Sequence, residues 1–279
     1  MDATQMPTST AAMIIRPYQR SSKVPTWTIT GSMLMAMEFI PCLLYNKSMS
    51  LKSLIGTLAT LLFVLVVPLA VIFSGWRWMI LDPGVYERGF VKYRVAEATG
   101  MSSTELSTAA QQLIAYFADD RPITLQIRKD GQMAPLYNER ELSHLVDVRG
   151  LFQLVFRIQA VAVAYLILYI LAALILRVQN LRRRIAWNVL GGAALTLIFL
   201  AGLGLAAMSD FSTLWPALHL LSFSNDLWML DPRTDYMIRM FPLGFWYDAV
   251  LKLATISAAS SAALLLAATA YLRFSRPRL

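Results

Sequence analysis

Four long apolar runs, Leu54 to Phe73, Ile158 to Leu176, Ile185 to Met208 and Ala249 to Leu272, constrain this chain more than any other feature. A helix needs about 20 such residues to cross the hydrocarbon core of a bilayer, and each run is close to that length. Composition agrees: 57% of residues are hydrophobic and 15% are charged, with a mean hydropathy of +0.53, whereas a soluble domain carries about 25% charged residues. The expected fold is an α-helical membrane protein with four transmembrane helices at 52–75, 151–177, 185–208 and 249–272. A small α+β extracytoplasmic cap (76–150) and an interfacial loop between helices 3 and 4 (209–248) complete it.

Lysine and arginine collect at the cytoplasmic ends of spans. The connector 178–184 holds Arg182, Arg183 and Arg184, Arg177 precedes it, and the tail 273–279 holds Arg273, Arg276 and Arg278; neither contains an acid. Both are therefore expected in the cytoplasm. Four spans then place the arm 1–51 there too, in keeping with Arg16, Arg20, Lys23 and Lys47. The net charge of +8 follows from this topology and implies no nucleic-acid partner. Fifteen of the seventeen acids and both histidines fall between Trp76 and Asp248, in the two outward regions, so chemistry is expected on the outer face.

The arm is rich in Ser, Thr and Met, with an apolar patch from Ser32 to Tyr45 interrupted by Glu38 and Pro41. The patch is too short to span, so it reads as a surface-lying helix or a poorly ordered segment. Met49 offers an alternative start, and the first long run is too long for a signal peptide, so it reads as an uncleaved span. The single cysteine, Cys42, lies on the inner side and is a poor candidate for an outer-face nucleophile.

In the cap, Leu106, Ala109, Ala110, Leu113, Ile114 and Phe117 repeat at helical spacing behind Ser102 or Ser103 as N-cap. Ile123, Leu125 and Ile127 alternate ahead of Asp130-Gly131, a hairpin signal, with Pro135 confining the second strand to an edge. Asn138 followed three residues later by Glu141 is a capping-box pattern. Nothing beyond it forces a stop before Leu176, so cap and second span are expected to form one helix, with His144 roughly 10 Å above Leu151, at headgroup depth. Gly191, Gly192, Gly202, Gly204 and the run Ser257 to Ala263 are small-residue faces suited to close helix packing in lipid.

The stretch Asp210 to Asp248 holds five aspartates, three tryptophans, three prolines and His219. Its aromatic rings suit the headgroup layer. Imidazole changes charge near neutral pH, so a histidine at that depth suits proton transfer; Glu141 and Asp147, three residues to either side of His144, are placed to orient its ring. Arg157 reads as an interfacial snorkelling residue, or as an ion-pair partner of Asp226, Asp231 or Asp235, or as a grip on a carbonyl. Two histidines are too few to close a zinc site, which takes about four ligands, unless two aspartates join them. No hydrolase serine elbow or phosphate loop is present, and no metal or cofactor is expected.

The order His219, Phe223, Asn225, Trp228, Asp231-Pro232, Asp235, Ile238, Phe241-Pro242, Phe245 resembles the second signature of the bacterial Lit family, the lipoprotein intramolecular transacylases and their integral membrane relatives. Glu139-Arg140-Glu141, His144 and Asp147-Val148 resemble its first. The resemblance covers roughly Leu54 to Leu272. It implies an acyltransferase of the bacterial cytoplasmic membrane, acting on diacylated lipoproteins and moving an acyl chain from the diacylglyceryl group to the α-amine of the N-terminal cysteine. On that reading His144 is the principal base and acid, and His219 a second proton carrier or oxyanion donor, with the two roles open to exchange. Asp147 or Glu141 orients, and Asn225, Arg157, Trp228, Asp231 and Asp235 support. Two other readings stand beside it: a non-enzymatic lipid- or lipoprotein-binding protein, and a metal-dependent membrane hydrolase. The oligomeric state is left open by the sequence.

Overall fold

A computed structural model describes residues 50–129 and 131–275. The expectations for the arm up to residue 49, including Cys42, and for Arg276 and Arg278 lie outside the described residues. Within them, four helices are long and apolar enough to cross a membrane: α1 Leu51–Leu81, α5 Glu139–Ile175, α6 Leu181–Ser209 and α9 Leu243–Phe274. The fold class is therefore as expected, a mostly helical membrane protein with one small sheet.

The bundle is built in the manner of membrane helices, with large side chains outside and small ones within. Leu58, Leu65, Val161, Leu168, Ile198 and Leu266 stand exposed around its perimeter, whereas Ala193, Thr196, Ser257 and Ser261 are buried. Lipid tails are as apolar as leucine, so helices gain by close approach of small residues. Gly192 shows how close: a Cβ there would stand 2.5 Å from the Cβ of Val67. In this way α6 packs on α1 and on α9, and α1 packs on α5.

All four helices outrun their apolar runs. α1 continues to Leu81, α5 begins at Glu139, α6 begins at Leu181 and α9 at Leu243. Hydropathy marks the stretch that the bilayer selects. Helical hydrogen bonding continues for as long as capping and packing support it.

The cap follows α1 through α2 Pro83–Lys92, α3 Val95–Thr99, α4 Ser103–Asp119 and an antiparallel hairpin, β1 Gln126–Lys129 and β2 Gln132–Pro135, with Gln126 opposite Pro135. Gly131 turns the hairpin at φ +83°, a conformation that glycine alone adopts freely. α4 opens on a capping box between Ser102 and Glu105. Its buried stripe, Leu106, Ala109, Ala110, Leu113 and Phe117, forms one core with Val95, Ile127, Leu136, Tyr137, Leu145 and Met240. Each large side chain buried there contributes about 1.5–3 kcal/mol.

The interfacial segment between α6 and α9 contains two short helices, α7 Phe211–Ser222 and α8 Tyr236–Met240, joined by turns. Asp210 caps α7 by accepting a hydrogen bond from the Thr213 N–H. Trp215 of α7 stacks on Trp246 of α9 with centroids 4.8 Å apart, and Phe211 meets Tyr247 edge-on. These aromatic contacts lay α7 against the start of the last helix. Their consequence is the position of His219.

Candidate active site

α5 begins at a capping box: the Asn138 side chain accepts from the Glu141 N–H, and Glu141 accepts from the Asn138 N–H. This fixes the first turns of the helix, where His144 stands, ahead of the apolar stretch that starts at Leu151. The free oxygen of Glu141 reaches further and accepts from the Met237 N–H at 2.6 Å, tying α8 to the head of α5. Glu141 is fully buried, and burial pushes its carboxyl up against the pull of these two N–H donors. It therefore acts on the backbone of α8, and not on the ring of His144.

Asp235 completes this tie. It is buried and accepts from Asn138 Nδ2 at 2.8 Å, the Asp231 N–H at 2.7 Å and the Thr234 hydroxyl at 3.0 Å. Burial would raise its carboxyl, but the donors outweigh it and hold the group below the usual carboxylate range. Arg140 adds an outer strap by donating to the Asp226 carbonyl at 2.8 Å.

The segment anchored in this way brings the two histidines together, with ring centroids 6.3 Å apart. Phe223 lies across both rings, 5.3 Å from His144 and 5.7 Å from His219. His219 is enclosed further by Trp215 at 4.6 Å and Trp228 at 5.0 Å. Its Nδ1 lies 2.9 Å from the Trp215 carbonyl, which can only accept, so Nδ1 carries the proton and Nε2 is left as the acceptor. Burial lowers the pKa of His219 against the raising effect of that carbonyl.

His144 is buried, and its Nδ1 has no hydrogen-bond partner among the described residues. Burial lowers its pKa to about 4; the neighbouring His219 lowers it further and the Asp147 carboxylate opposes. Both rings are thus uncharged at neutral pH. Asp147 does not bond the ring. It accepts from Asn225 Nδ2 at 2.8 Å, and Asn225 in turn accepts from the Leu227 N–H. Trp228 Nε1, on the indole beside His219, is a buried donor without a partner among the described residues.

Two of the supporting residues expected from the sequence lie apart from this group. Arg157 is exposed, about 20 Å further along the axis of α5 than His144, and pairs with no aspartate among the described residues. Asp231 is engaged by Arg233 through its guanidinium and its backbone N–H, and shapes the turn before α8. Trp215, absent from the sequence-based set, proves central because it fixes the tautomer of His219; the signal was its spacing, four residues before His219 on one helix.

The serines offer little as nucleophiles. The Ser143 hydroxyl donates back to the Glu139 carbonyl at 2.8 Å, and Ser222 and Ser224 are exposed, with no hydrogen bond to either histidine among the described residues. Nor, among those residues, do three His, Cys, Asp or Glu side chains gather as metal ligands would. Leu142, Val146, Leu218, Leu221 and Met229, neighbours of the site residues in sequence, are exposed apolar side chains.

A family model described as lipoprotein intramolecular transacylase Lit matches residues 61–246. The fold is shared with in meso structures of the membrane integral lipoprotein intramolecular transacylase Lit from Bacillus cereus. One is 20% identical, covers 78% of this chain and 98% of its own, and superposes with a TM-score of 0.64. A form of that protein with a histidine mutated to alanine is 18% identical, covers 81% and 97%, and gives a TM-score of 0.63. No curated protein sequence matches the chain. Because the family model takes in most of the chain, the protein belongs to the Lit family of lipoprotein intramolecular transacylases.

Proposed function

We propose that the protein acts on diacylated lipoproteins at the extracytoplasmic face of the bacterial cytoplasmic membrane. It moves the acyl chain on the middle glycerol carbon of the diacylglyceryl group to the α-amine of the N-terminal cysteine. The amine nitrogen attacks the ester carbonyl, the C–N bond forms, the C–O bond to glycerol breaks, and the proton released from nitrogen ends on the glycerol oxygen. The product is a lyso-form lipoprotein.

Amine and ester belong to one molecule, so holding them in register supplies much of the rate. What remains is proton transfer and charge stabilisation. His144, uncharged at neutral pH, takes the proton from the attacking nitrogen and returns it to the departing alkoxide. Asp147 supports this role: its carboxylate charge acts on His144 and favours the imidazolium formed between the two transfers. His219 is the second proton carrier through Nε2, and the unpaired Trp228 N–H is the available donor for the developing oxyanion. Asn225 holds Asp147, while Glu141 and Asp235 hold the segment in place. The observation that carries the proposal is the convergence of two uncharged imidazoles, 6.3 Å apart, enclosed by Phe223, Trp215 and Trp228.

Mass spectrometry of lipoprotein N-terminal peptides from a host without N-acylation, with and without this protein, tests it. Lyso-form peptides bearing an amide-linked chain are expected only with the protein, and unchanged diacylglyceryl peptides would leave a binding role instead. Free fatty acid with an unmodified amine would indicate a hydrolase.

A further inference from the structure

At the level where α1 and α9 leave their apolar stretches, a second polar region lies away from the histidines. One hollow is lined by Ser74, Arg77, Trp78, Asp82 and Gln159, and another by Arg88, Lys92, Tyr93, Asp248 and Lys252. Two contacts join them into one groove. Lys252 Nζ stands 5.3 Å over the Trp78 ring, and Arg88 donates to Asp82 at 3.3 Å.

The cations of this groove outnumber its acids. Lys92 is matched by Asp248, which also accepts from the Tyr93 hydroxyl. Asp82 is shared between the Gly84 N–H, where it caps α2, and Arg88. Arg77 and Lys252 form no ion pair among the described residues, and the Asp82 carboxylate that acts on Lys252 is offset by the charge of Arg88. Arg77 donates to Gln159 Oε1 at 3.4 Å, Gln159 donates to the Ser74 hydroxyl, and the guanidinium lies 5.0 Å over Phe156, so its aim is fixed by neutral groups. On the orientation proposed above, this is the end of the bundle where cations beside a span are disfavoured. Their retention points to an anionic ligand beside these span ends.

We infer that this groove binds the phosphodiester of an anionic phospholipid, with Arg77 and Lys252 on the phosphate and Trp78, half exposed, against the glycerol and upper acyl chains. A zwitterionic headgroup brings an ammonium into the same excess of positive charge and is the poorer ligand. The diacylglyceryl thioether of a lipoprotein has no phosphate, so the groove serves bilayer lipid and leaves the histidine site to the substrate. Its place beside the cap end of α1 and α9 makes it an anchor that sets the depth of the cap.

The test is native mass spectrometry of the full chain in detergent, titrated with phosphatidylglycerol, phosphatidylcholine or inorganic phosphate. Phosphatidylglycerol is expected to bind at least about tenfold more tightly than phosphatidylcholine, since each cation near the surface contributes about fivefold. The double variant Arg77→Gln/Lys252→Gln should lose that preference, and Arg77→Lys should retain most of it, which separates lost charge from lost folding. Equal binding of both lipids, or a preference that survives in the double variant, would overturn the proposal. Inorganic phosphate competing as well as the lipid would overturn the assignment to lipid.

Discussion

A buried, uncharged His144 determines how the reaction responds to pH. Its pKa near 4, set by burial, keeps it neutral far below the usual histidine range, whereas a free α-amine titrates at about 8. The substrate amine, and not the enzyme, should therefore set the acid limb of the pH–rate profile. The rate of lyso-form production should rise up to about pH 8, and a plateau already reached at pH 6.5 would contradict this. The same shift acts on stability. The unfolded chain takes up its histidine proton at about 6.5 and the folded chain at about 4, so stability rises with pH across that window and is fully present above it. In detergent, the fall in melting temperature from pH 7 to pH 5 should be smaller in His144→Ala than in the parent.

The same residue scale separates direct transfer from a covalent route. His144→Ala should abolish the lyso-form product. Ser143→Ala should cost little, because that hydroxyl bonds its own helix, and Ser222→Ala and Ser224→Ala should behave likewise. Hydroxylamine-sensitive acyl label on the protein during turnover would refute direct transfer. Asn225→Ala removes the hold on Asp147 without touching a ring, and should lower kcat by about tenfold to a hundredfold, the cost of a misplaced positioning group. An unchanged kcat would remove Asn225 from the site.

At the scale of elements, the weakest joint is the tie between the head of α5 and α8. Glu141 accepts from two N–H groups, that of the exposed residue Asn138 and that of the buried Met237. Glu141→Ala leaves the buried Met237 N–H unpaired, at about 1–3 kcal/mol, and should loosen α8 and the loop that carries Asn225 and Trp228. Hydrogen exchange should accelerate over 223–240 in this variant, and unchanged protection there would refute the tie. The capping pattern that starts α5 was legible because it is local: Asn138 and Glu141 are three residues apart. The second bond of Glu141 was not, since Met237 lies 96 positions away and no periodicity reports it. Asp147 was read as a ring partner by spacing along the helix, whereas the fold gives it Asn225 from another element. The short helices α7 and α8 were hidden for a related reason. Their sequences are dense in aromatic and turn residues, and they hold shape through contacts such as Trp215 on Trp246.

For the whole molecule, the four helices were readable because lipid demands a long apolar run, and the sheet was signalled by Asp130-Gly131 between alternating segments. Hydropathy cannot say how the helices pair, which follows from close contacts such as Gly192 on Val67. Orientation is a matter of charge. Arg177, Arg182 and Arg183 line one hollow at the junction of α5, α6 and α9, where Tyr271 also stands, with Arg184 and Arg273 adjacent to it in sequence. The acids stand at the other end, from Asp82 to Asp248. Positive charge is held back from translocation, so the cap and both histidines should lie outside and the loop at 178–184 inside. Two reporters check this, one active only in the cytoplasm and one only outside it. Fused after Leu279 or inserted between Val178 and Leu181, the cytoplasmic reporter should be active and the external one silent. Inserted at the hairpin turn beside Gly131, the pattern should reverse. An external reporter active after Leu279 would invert the protein and place the histidine pair on the side of the membrane where mature lipoproteins are absent.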